Sequence, residues 1–101
     1  MKETGKERAH ERVFFIKDIS LDDTMSCTSS DICESGLFVN TTQFFKTADM
    51  VKVTIPLESE KITLKAEVKY CHQGIGIGIM FVDMDSKQKV KIKEFIESLM
   101  K

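Results

Sequence analysis

The two arginines of this chain, Arg8 and Arg12, stand four residues apart in the segment KERAHERV, whereas every other basic side chain is a lysine. An arginine guanidinium is a planar fork of donors that pairs with phosphate oxygens or with the O6/N7 edge of guanine, and its plane can stack on a base. Two such groups on a terminal segment can close over one small dianionic ligand. A solvated charged arm is the alternative that this spacing alone leaves open.

A second group of polar residues lies in the segment SSDICESGLFV, which contains Asp31, Cys33, Ser35 and Gly36. The Asp31 carboxylate can accept from the N1–H and the exocyclic amine of guanine, on the edge opposite to the one that arginine contacts. Gly36 can supply an unusual backbone angle or let a flat ring approach. The alternative is a plain turn, in which Asp and Ser satisfy local backbone groups and Gly adopts a positive φ.

The strands that must position these residues are predicted from the alternation of apolar and polar side chains. In MVKVTIPL (50–57) and KITLKAEVKY (61–70), apolar residues occupy every second position. This pattern predicts half-buried antiparallel strands joined by the polar turn ESE, with Tyr70 on the apolar side of its strand and Pro56 at an edge or end. Shorter β-prone runs are VFFI, TMSCTSS and GLFVNT.

The run GIGIGIMFVD, residues 74–83, predicts a further strand, because glycines alternate strictly with isoleucines. Its predicted apolar face comprises Ile75, Ile77, Ile79 and Phe81. A phosphate-binding loop is the other interpretation of Gly-x-Gly-x-Gly, but no helix start follows it directly. We therefore prefer the strand, whose glycine face would admit a packed helix or a neighbouring backbone.

A helix is predicted over residues 86–100, capped by Asp85 or Ser86. Its predicted apolar stripe comprises Val90, Ile92, Phe95, Ile96 and Leu99. Four lysines between positions 87 and 93 oppose the helix macrodipole, so this face is either tolerated or used for a partner. About six strands and one helix predict an all-β fold, a small antiparallel barrel or curled sheet with a C-terminal helix.

Composition narrows the function classes. A chain of 101 residues fits one domain, and a net charge of -1 provides no field that would attract nucleic acid or an anionic membrane. The absence of a long apolar run and of an apolar leader predicts a cytoplasmic protein without membrane insertion. We expect residues 1–12 to be a flexible arm and residues 13–101 to be a single domain.

The cysteines and histidines do not predict catalysis or a metal site. Cys27, Cys33 and Cys71 include no Cys-x-x-Cys pair, and the two histidines are scattered, so we expect free thiols and neither a metal nor a cofactor. No nucleophile, base and carboxylate stand at a recognisable spacing, which predicts that the protein is not an enzyme.

Taken together, the two polar motifs resemble the signature of PilZ domains, which are bacterial receptors for cyclic di-GMP. That signature is Arg-x-x-x-Arg followed by Asp/Asn-x-Ser-x-x-Gly, and this chain has Arg8-x-x-x-Arg12 and Asp31-x-Cys33-x-x-Gly36. The strand GIGIGIMFVD and the terminal helix also match the family's usual ending, so the resemblance spans Glu7 to Leu99. It implies a six-stranded antiparallel β-barrel with a C-terminal helix.

The resemblance also implies roles for individual residues. Arg8 and Arg12 would contact phosphates and guanine, Asp31 would hydrogen-bond guanine, and Gly36 would shape the turn beneath it. Cys33 stands where the family has serine, and a thiol is a weaker donor and acceptor than a hydroxyl. Losing one neutral hydrogen bond costs about 1 kcal/mol, and up to about 3 kcal/mol if its partner is left unsatisfied. Ser35 or Ser30 can compensate.

The function implied is a cyclic di-GMP receptor or adaptor that relays the ligand level to a protein partner. In this mechanism the dianion recruits both arginines, and the newly ordered arm presents a different surface. The alternative within the same fold is a degenerate domain that binds proteins without nucleotide, and Cys33→Ser distinguishes the two. A small nucleic-acid-binding barrel is disfavoured by the near-neutral charge and the lack of a basic, aromatic strand face.

Overall fold

Antiparallel pairing joins every strand of residues 12–100, the part of the chain that this computed structural model describes. The elements in order are β1 (Val13–Phe14), β2 (Asp18–Leu21), β3 (Met25–Cys33), β4 (Gly36–Asn40), β5 (Met50–Pro56), β6 (Lys61–His72), β7 (Gly76–Val82) and α1 (Ser86–Leu99). Arg8 and the rest of the predicted arm up to residue 11 lie outside the described residues.

The sheet closes into a barrel because β3 pairs along both of its edges. Its strand order is β1-β3-β2-β5-β6-β7-β4, and β4 returns to pair with β3. Strands β1 and β2 both lie along the edge of β3 that does not face β4, so they form one first strand interrupted at residues 15–17. Counted in this way, the wall is a six-stranded antiparallel barrel with a C-terminal helix, which confirms the predicted fold class.

A buried serine provides hydrogen-bond partners for the backbone where the first strand is interrupted. Ser29 has no exposed surface. Its hydroxyl donates to the carbonyl of Phe15 and accepts from the N–H of Lys17 at 3.1 Å, so both backbone groups have partners where the ladder is broken. Next to it, the pairing of β3 with β4 shifts register between Ser29 and Asp31. This bulge sets the face of β3 on which Asp31 lies.

The core comes from alternating residues of the strands and one side of α1. The alternating apolar positions from 51 to 55 and from 62 to 68 are buried, whereas Leu57 is only partly buried. Strand β5 pairs antiparallel with β6 up to Pro56, its last residue, as predicted. Helix α1 contributes Ile92, Phe95 and Ile96 to the core. The ring of Phe95 meets that of Phe15 edge-on, with centroids 5.2 Å apart. The helix therefore contacts the core of the barrel through a single narrow stripe of side chains.

Helix α1 begins with the predicted cap. The carboxylate of Asp85 accepts from the N–H of Gln88 at 2.8 Å, and the Gln88 side chain accepts from the N–H of Asp85 at 3.0 Å, which is a capping box. The predicted apolar stripe is wrong at Val90 and at Leu99, which are 52% and 36% exposed. Residues two apart on a helix do not share a face, so Val90 lies away from buried Ile92.

Among the described residues, no helix has both the length and the apolar composition needed to cross a membrane.

The glycine-rich strand starts two residues later than predicted. Gly74 has φ +81° and lies in the turn before β7, where the N–H of Ile75 donates to the carbonyl of His72 at 2.9 Å. The side chain of Ile75 is consequently exposed and does not belong to the apolar face. Ile77 is buried as predicted. The turn needs the positive φ that glycine adopts without strain, and this requirement competes with strand pairing at Gly74.

Candidate functional site

One row of side chains crosses the outside of the barrel wall over five strand segments. The Cα register places Phe14 opposite Asp31, Asp31 opposite Phe38, Phe38 opposite Gly78, and Gly78 opposite Tyr70. Directly opposed residues of antiparallel strands present their side chains on the same face. The residues on both sides of Phe38 are buried in the core, so this row, the outer row, lies on the outer face.

Arg12 joins the two polar motifs at one end of the outer row. Its Nε donates to Oδ1 of Asp31 at 2.9 Å, and its Nη1 donates to Sγ of Cys33 at 3.4 Å. Sγ of Cys33 lies 3.3 Å from Oγ of Ser35. The structure therefore brings together four of the six residues that the sequence singled out, across separations of 19 and 21 positions. Arg8 lies outside the described residues.

The Arg12–Asp31 ion pair is open to solvent. The two side chains are 45% and 30% exposed. An exposed pair of this kind contributes at most about 1 kcal/mol to folding, because water and salt screen it. A ligand that offers a phosphate to the guanidinium and donors to the carboxylate can therefore replace the pair at small cost.

Gly36 is required by strand packing rather than by its backbone angle. A Cβ at this position would lie 2.0 Å from the carbonyl oxygen of Ile79 in β7. The turn formed by residues 34 and 35 precedes Gly36, but among the described glycines only Gly74 has a positive φ. The interpretation of Gly36 as the positive-φ residue of a turn is therefore wrong. Its missing side chain instead lets β7 approach close beside Cys33, the residue opposite Gly36 in β3.

Aromatic rings cover the glycine face of β7. A Cβ on Gly78 would lie 2.3 Å from Cζ of Tyr70, so the expectation of a helix or backbone against this face is wrong at Gly78. At Gly76 the neighbours are the backbone oxygen of Val39, as expected, and the ring of Phe38, which would lie 2.3 Å and 2.6 Å from such a Cβ. The ring centroids of Phe38 and Tyr70 are 6.2 Å apart. The glycines thus let two rings lie close against the barrel wall.

Tyr70 is the main site residue that the sequence did not indicate. Simple alternation along β6 placed it with the buried residues, but the pairing of β6 with β7 shifts register between Val68 and Tyr70. This bulge turns Tyr70 to the outer face, where it is 43% exposed. The glycine run was the one available signal, because an apolar strand with a glycine face leaves room for large rings on neighbouring strands.

Two recesses flank Arg12. One has a volume of about 170 Å³ and is lined by Arg12, Ser35, Gly36, Lys69, Tyr70, Gly78, Ile79 and Met80. The other has a volume of about 460 Å³ and is lined by Arg12, Val13, Phe14, Asp31 and Leu99. A guanidinium, a lysine, a carboxylate and an aromatic ring on one surface suit a ligand with both an anionic group and a flat hydrogen-bonding ring.

The other two cysteines lie away from these recesses. All three cysteines are free thiols, as predicted. Burial raises the pKa of the Cys27 thiol, and a hydrogen bond with Thr41 offsets part of that rise. Cys71 packs against the core. Within residues 12–100, no three His, Cys, Asp or Glu side chains are grouped so that they could hold a metal ion.

Comparison with known proteins gives one family match and several similar folds. A family model described as PilZ domain matches residues 6–98. The PilZ domain of CeSA from a cellulose-synthesizing bacterium is 16% identical, with a TM-score of 0.71 over 90% of this chain and 99% of that chain. The Bacillus subtilis inhibitor of motility, MotI/DgrA, is 13% identical, with a TM-score of 0.76 over 92% of this chain and 51% of that chain. This chain therefore spans about half the length of MotI/DgrA. The search of curated proteins gives no match.

Proposed function

The chain belongs to the PilZ domain family, as its two motifs predicted, and from this premise we propose that it binds cyclic di-GMP on the outer face of its barrel and relays the level of that messenger to a protein partner. PilZ domains are typically receptor or adaptor domains rather than enzymes. The observation that carries the proposal is the contact of the Arg12 guanidinium with Asp31 and Cys33, because it joins both halves of the signature in one place.

The chemistry of guanine assigns a separate part to each charged group. The guanidinium of Arg12 donates to a phosphate or to the O6/N7 edge of the base. The carboxylate of Asp31 accepts from the N1–H and amine edge. In the free protein the two groups hydrogen-bond to each other, so the ligand exchanges an exposed ion pair for charge-assisted bonds to itself. Arg8 is the second guanidinium that we propose for the phosphates.

Tyr70 supplies the flat surface that this ligand needs. Its ring lies over Gly78 and lines the same recess as Arg12 and Lys69. Stacking of a base on an aromatic ring contributes about 1–3 kcal/mol. Lys69 is exposed and its only near acidic group among the described residues is Glu67 at 3.8 Å, so its ammonium group is available to a phosphate.

The lone tyrosine makes the proposal directly measurable. The chain has one tyrosine and no tryptophan, so its intrinsic emission reports on Tyr70 alone. We expect cyclic di-GMP to quench this emission saturably and to release heat with the same dissociation constant in calorimetry. Cyclic di-AMP, which lacks the guanine donors and O6, is the matched control ligand, and N-acetyltyrosinamide corrects for light absorbed by the nucleotide. No heat at high micromolar cyclic di-GMP, from protein shown to be folded, would contradict the proposal.

The degenerate, nucleotide-independent module is the second candidate, and Cys33 is the observation that favours it. Its thiol is a weak hydrogen-bonding group at the position of the family's serine, although it occupies the expected place beside Arg12 and Ser35. We expect Cys33→Ser to lower the dissociation constant for cyclic di-GMP about fivefold, the equivalent of one neutral hydrogen bond of about 1 kcal/mol. Calorimetry on both proteins measures the difference.

The matched control is Cys27→Ser, the same replacement outside the two recesses, which should leave the affinity unchanged. Binding by Cys33→Ser and none by the unaltered protein would favour the degenerate module. An affinity that is the same in the unaltered protein and in Cys33→Ser would contradict the view that the thiol limits binding.

A further inference from the structure

A third recess lies between β7 and α1, next to the proposed nucleotide site. Its volume is about 430 Å³, and Met80, Phe81, Met84 and Val90 form its apolar lining. Two lysines, Lys89 and Lys93, complete its helical side. We call this recess the methionine groove. Apart from Ser35 and Met80, its lining residues do not belong to the candidate nucleotide site.

Part of the apolar lining of the methionine groove is open to solvent. Val90 is 52% exposed and Met80 is 37% exposed. Val90 contributes nothing to the core stripe of α1, and a β-branched side chain is not favoured on a solvated helix face. Methionine adapts its shape to different partners, because its side chain is unbranched and polarizable. These features suit a surface that an apolar side chain of another molecule covers.

The charge beside the groove indicates which partner fits. The first turn of α1 contains no acidic residue, and Lys89 lies close to the helix N-terminus, where a cation opposes the macrodipole. Lys91 pairs with Glu60 at 3.2 Å, whereas Lys89 and Lys93 form no ion pair with another residue of the range 12–100. Glu34, half-buried on the opposite side, is the one acidic residue that lines the groove. The exposed helical side of the groove is therefore cationic.

We propose that the methionine groove binds a segment of a partner protein in which apolar side chains are flanked by aspartates or glutamates. The apolar side chains enter between Met84 and Val90, and the carboxylates pair with Lys89 and Lys93. An amphipathic helix lying in an apolar groove is a common form of such recognition. The segment can bind the groove in the absence of the nucleotide.

Coupling to the messenger rests on the function proposed above. Ser35 and Met80 line both the methionine groove and the smaller recess beside Arg12. A nucleotide that orders Met80 lowers the entropy cost of ordering it again for the partner segment, so the two ligands favour each other. By linkage, the partner segment tightens nucleotide binding by the same factor.

A synthetic peptide tests the groove without a known partner. The probe is a fluorescein-labelled amphipathic helix with a leucine face flanked by glutamates, and its counterpart has lysines in place of the glutamates. We expect the acidic peptide to bind at least about tenfold more tightly by fluorescence anisotropy and to shift the methyl signals of Met80 and Met84 in methionine-labelled protein. Equal affinity for the two peptides, no binding of the acidic one, or unchanged Met84 signals would overturn the proposal.

Charge reversal on the helix provides the matched comparison. The Lys89→Glu, Lys93→Glu double variant should bind the acidic peptide at least about tenfold more weakly. The Lys17→Glu, Lys46→Glu double variant makes the same change in net charge at exposed lysines outside the groove and should bind within about twofold of the unaltered protein. An equal loss in both double variants would overturn the proposal, because the peptide would then sense only net charge.

Saturating cyclic di-GMP tests the coupling separately. We expect it to tighten binding of the acidic peptide about fivefold, the lower end of typical allosteric couplings. Peptide binding that is specific but insensitive to the nucleotide would refute the coupling. If calorimetry detects no nucleotide binding while the acidic peptide still binds at Met84, the proposed function fails and the groove stands.

Discussion

Replacement of Arg12 by alanine is expected to weaken cyclic di-GMP binding at least about hundredfold and to leave the unfolding temperature nearly unchanged. Hydrogen bonds to charged groups contribute about 1.5–3 kcal/mol each, and the guanidinium can make two of them to a phosphate or to the O6/N7 edge of guanine. The stability of the fold changes little, because the ion pair that Arg12 makes with Asp31 is exposed. Titration calorimetry and thermal unfolding measure the two effects.

Two further variants identify the reason for the loss. Arg12→Lys keeps the charge and removes the planar fork, so an affinity between those of the unaltered protein and Arg12→Ala indicates that geometry contributes beyond charge. Lys17→Ala removes an exposed cation five positions along the chain, outside both recesses that Arg12 lines, and should leave the affinity unchanged. Binding by Arg12→Ala as tight as that of the unaltered protein would contradict the proposed site.

The strands were predictable where local pattern and burial coincide. Alternation in the segments of β5 and β6 predicted both the strands and most of their inward-facing residues. An antiparallel sheet with one face on the core and the other in solvent needs an apolar side chain at every second position. The capping residue Asp85 was predictable for a similar reason, since a carboxylate that accepts from the first turn is a local requirement of the helix. Neither feature needs information about distant parts of the chain.

The errors at Tyr70 and Val90 have different causes, tertiary strand pairing for the first and helical phase for the second. Tyr70 continues the apolar alternation of β6, yet a bulge against β7 turns it outward, and a bulge is defined only by the partner strand. Val90 was placed in the core stripe from its apolar character, although its helical phase sets it on the other side from Ile92. Both residues line recesses on the surface, so the misassigned apolar residues became candidates for binding.

The candidate site was predictable as a set of residues but not as a surface. Arg12, Asp31 and Cys33 were singled out from residue chemistry and from the spacing of the PilZ signature. Their contact depends on the short pairing of β1 with β3, which brings Phe14 opposite Asp31 and leaves Arg12 just beyond the strand end. Two-residue strands have no periodicity, so no pattern in the sequence could specify that pairing.

Replacement of Gly36 by alanine is expected to destabilise the fold by at least about 3 kcal/mol, at the upper end of the usual cost of overpacking. The added Cβ would lie 2.0 Å from the oxygen of Ile79 and 3.0 Å from Cα of Met80. Both are backbone atoms of β7, which is hydrogen-bonded to strands on each side, so they cannot move without breaking the barrel ladder. For a domain of this size the loss corresponds to a fall in unfolding temperature of roughly 12 °C or more.

Gly74→Ala is the comparison variant, because it separates the cost of a steric clash between strands from the cost of a side chain at a positive φ. Nothing lies within 4 Å of a Cβ at Gly74, but its φ of +81° disfavours a side chain, so we expect a cost of about 1–2 kcal/mol. If Gly36→Ala unfolds at a much lower temperature than Gly74→Ala, the glycine of the signature is needed to hold two strands together beneath the site. If Gly36→Ala is as stable as the unaltered protein and yet fails to bind cyclic di-GMP, its role is contact with the ligand. The close approach of β7 favours the first result, because a methyl group at position 36 would clash with the backbone of β7 whether or not a nucleotide is bound.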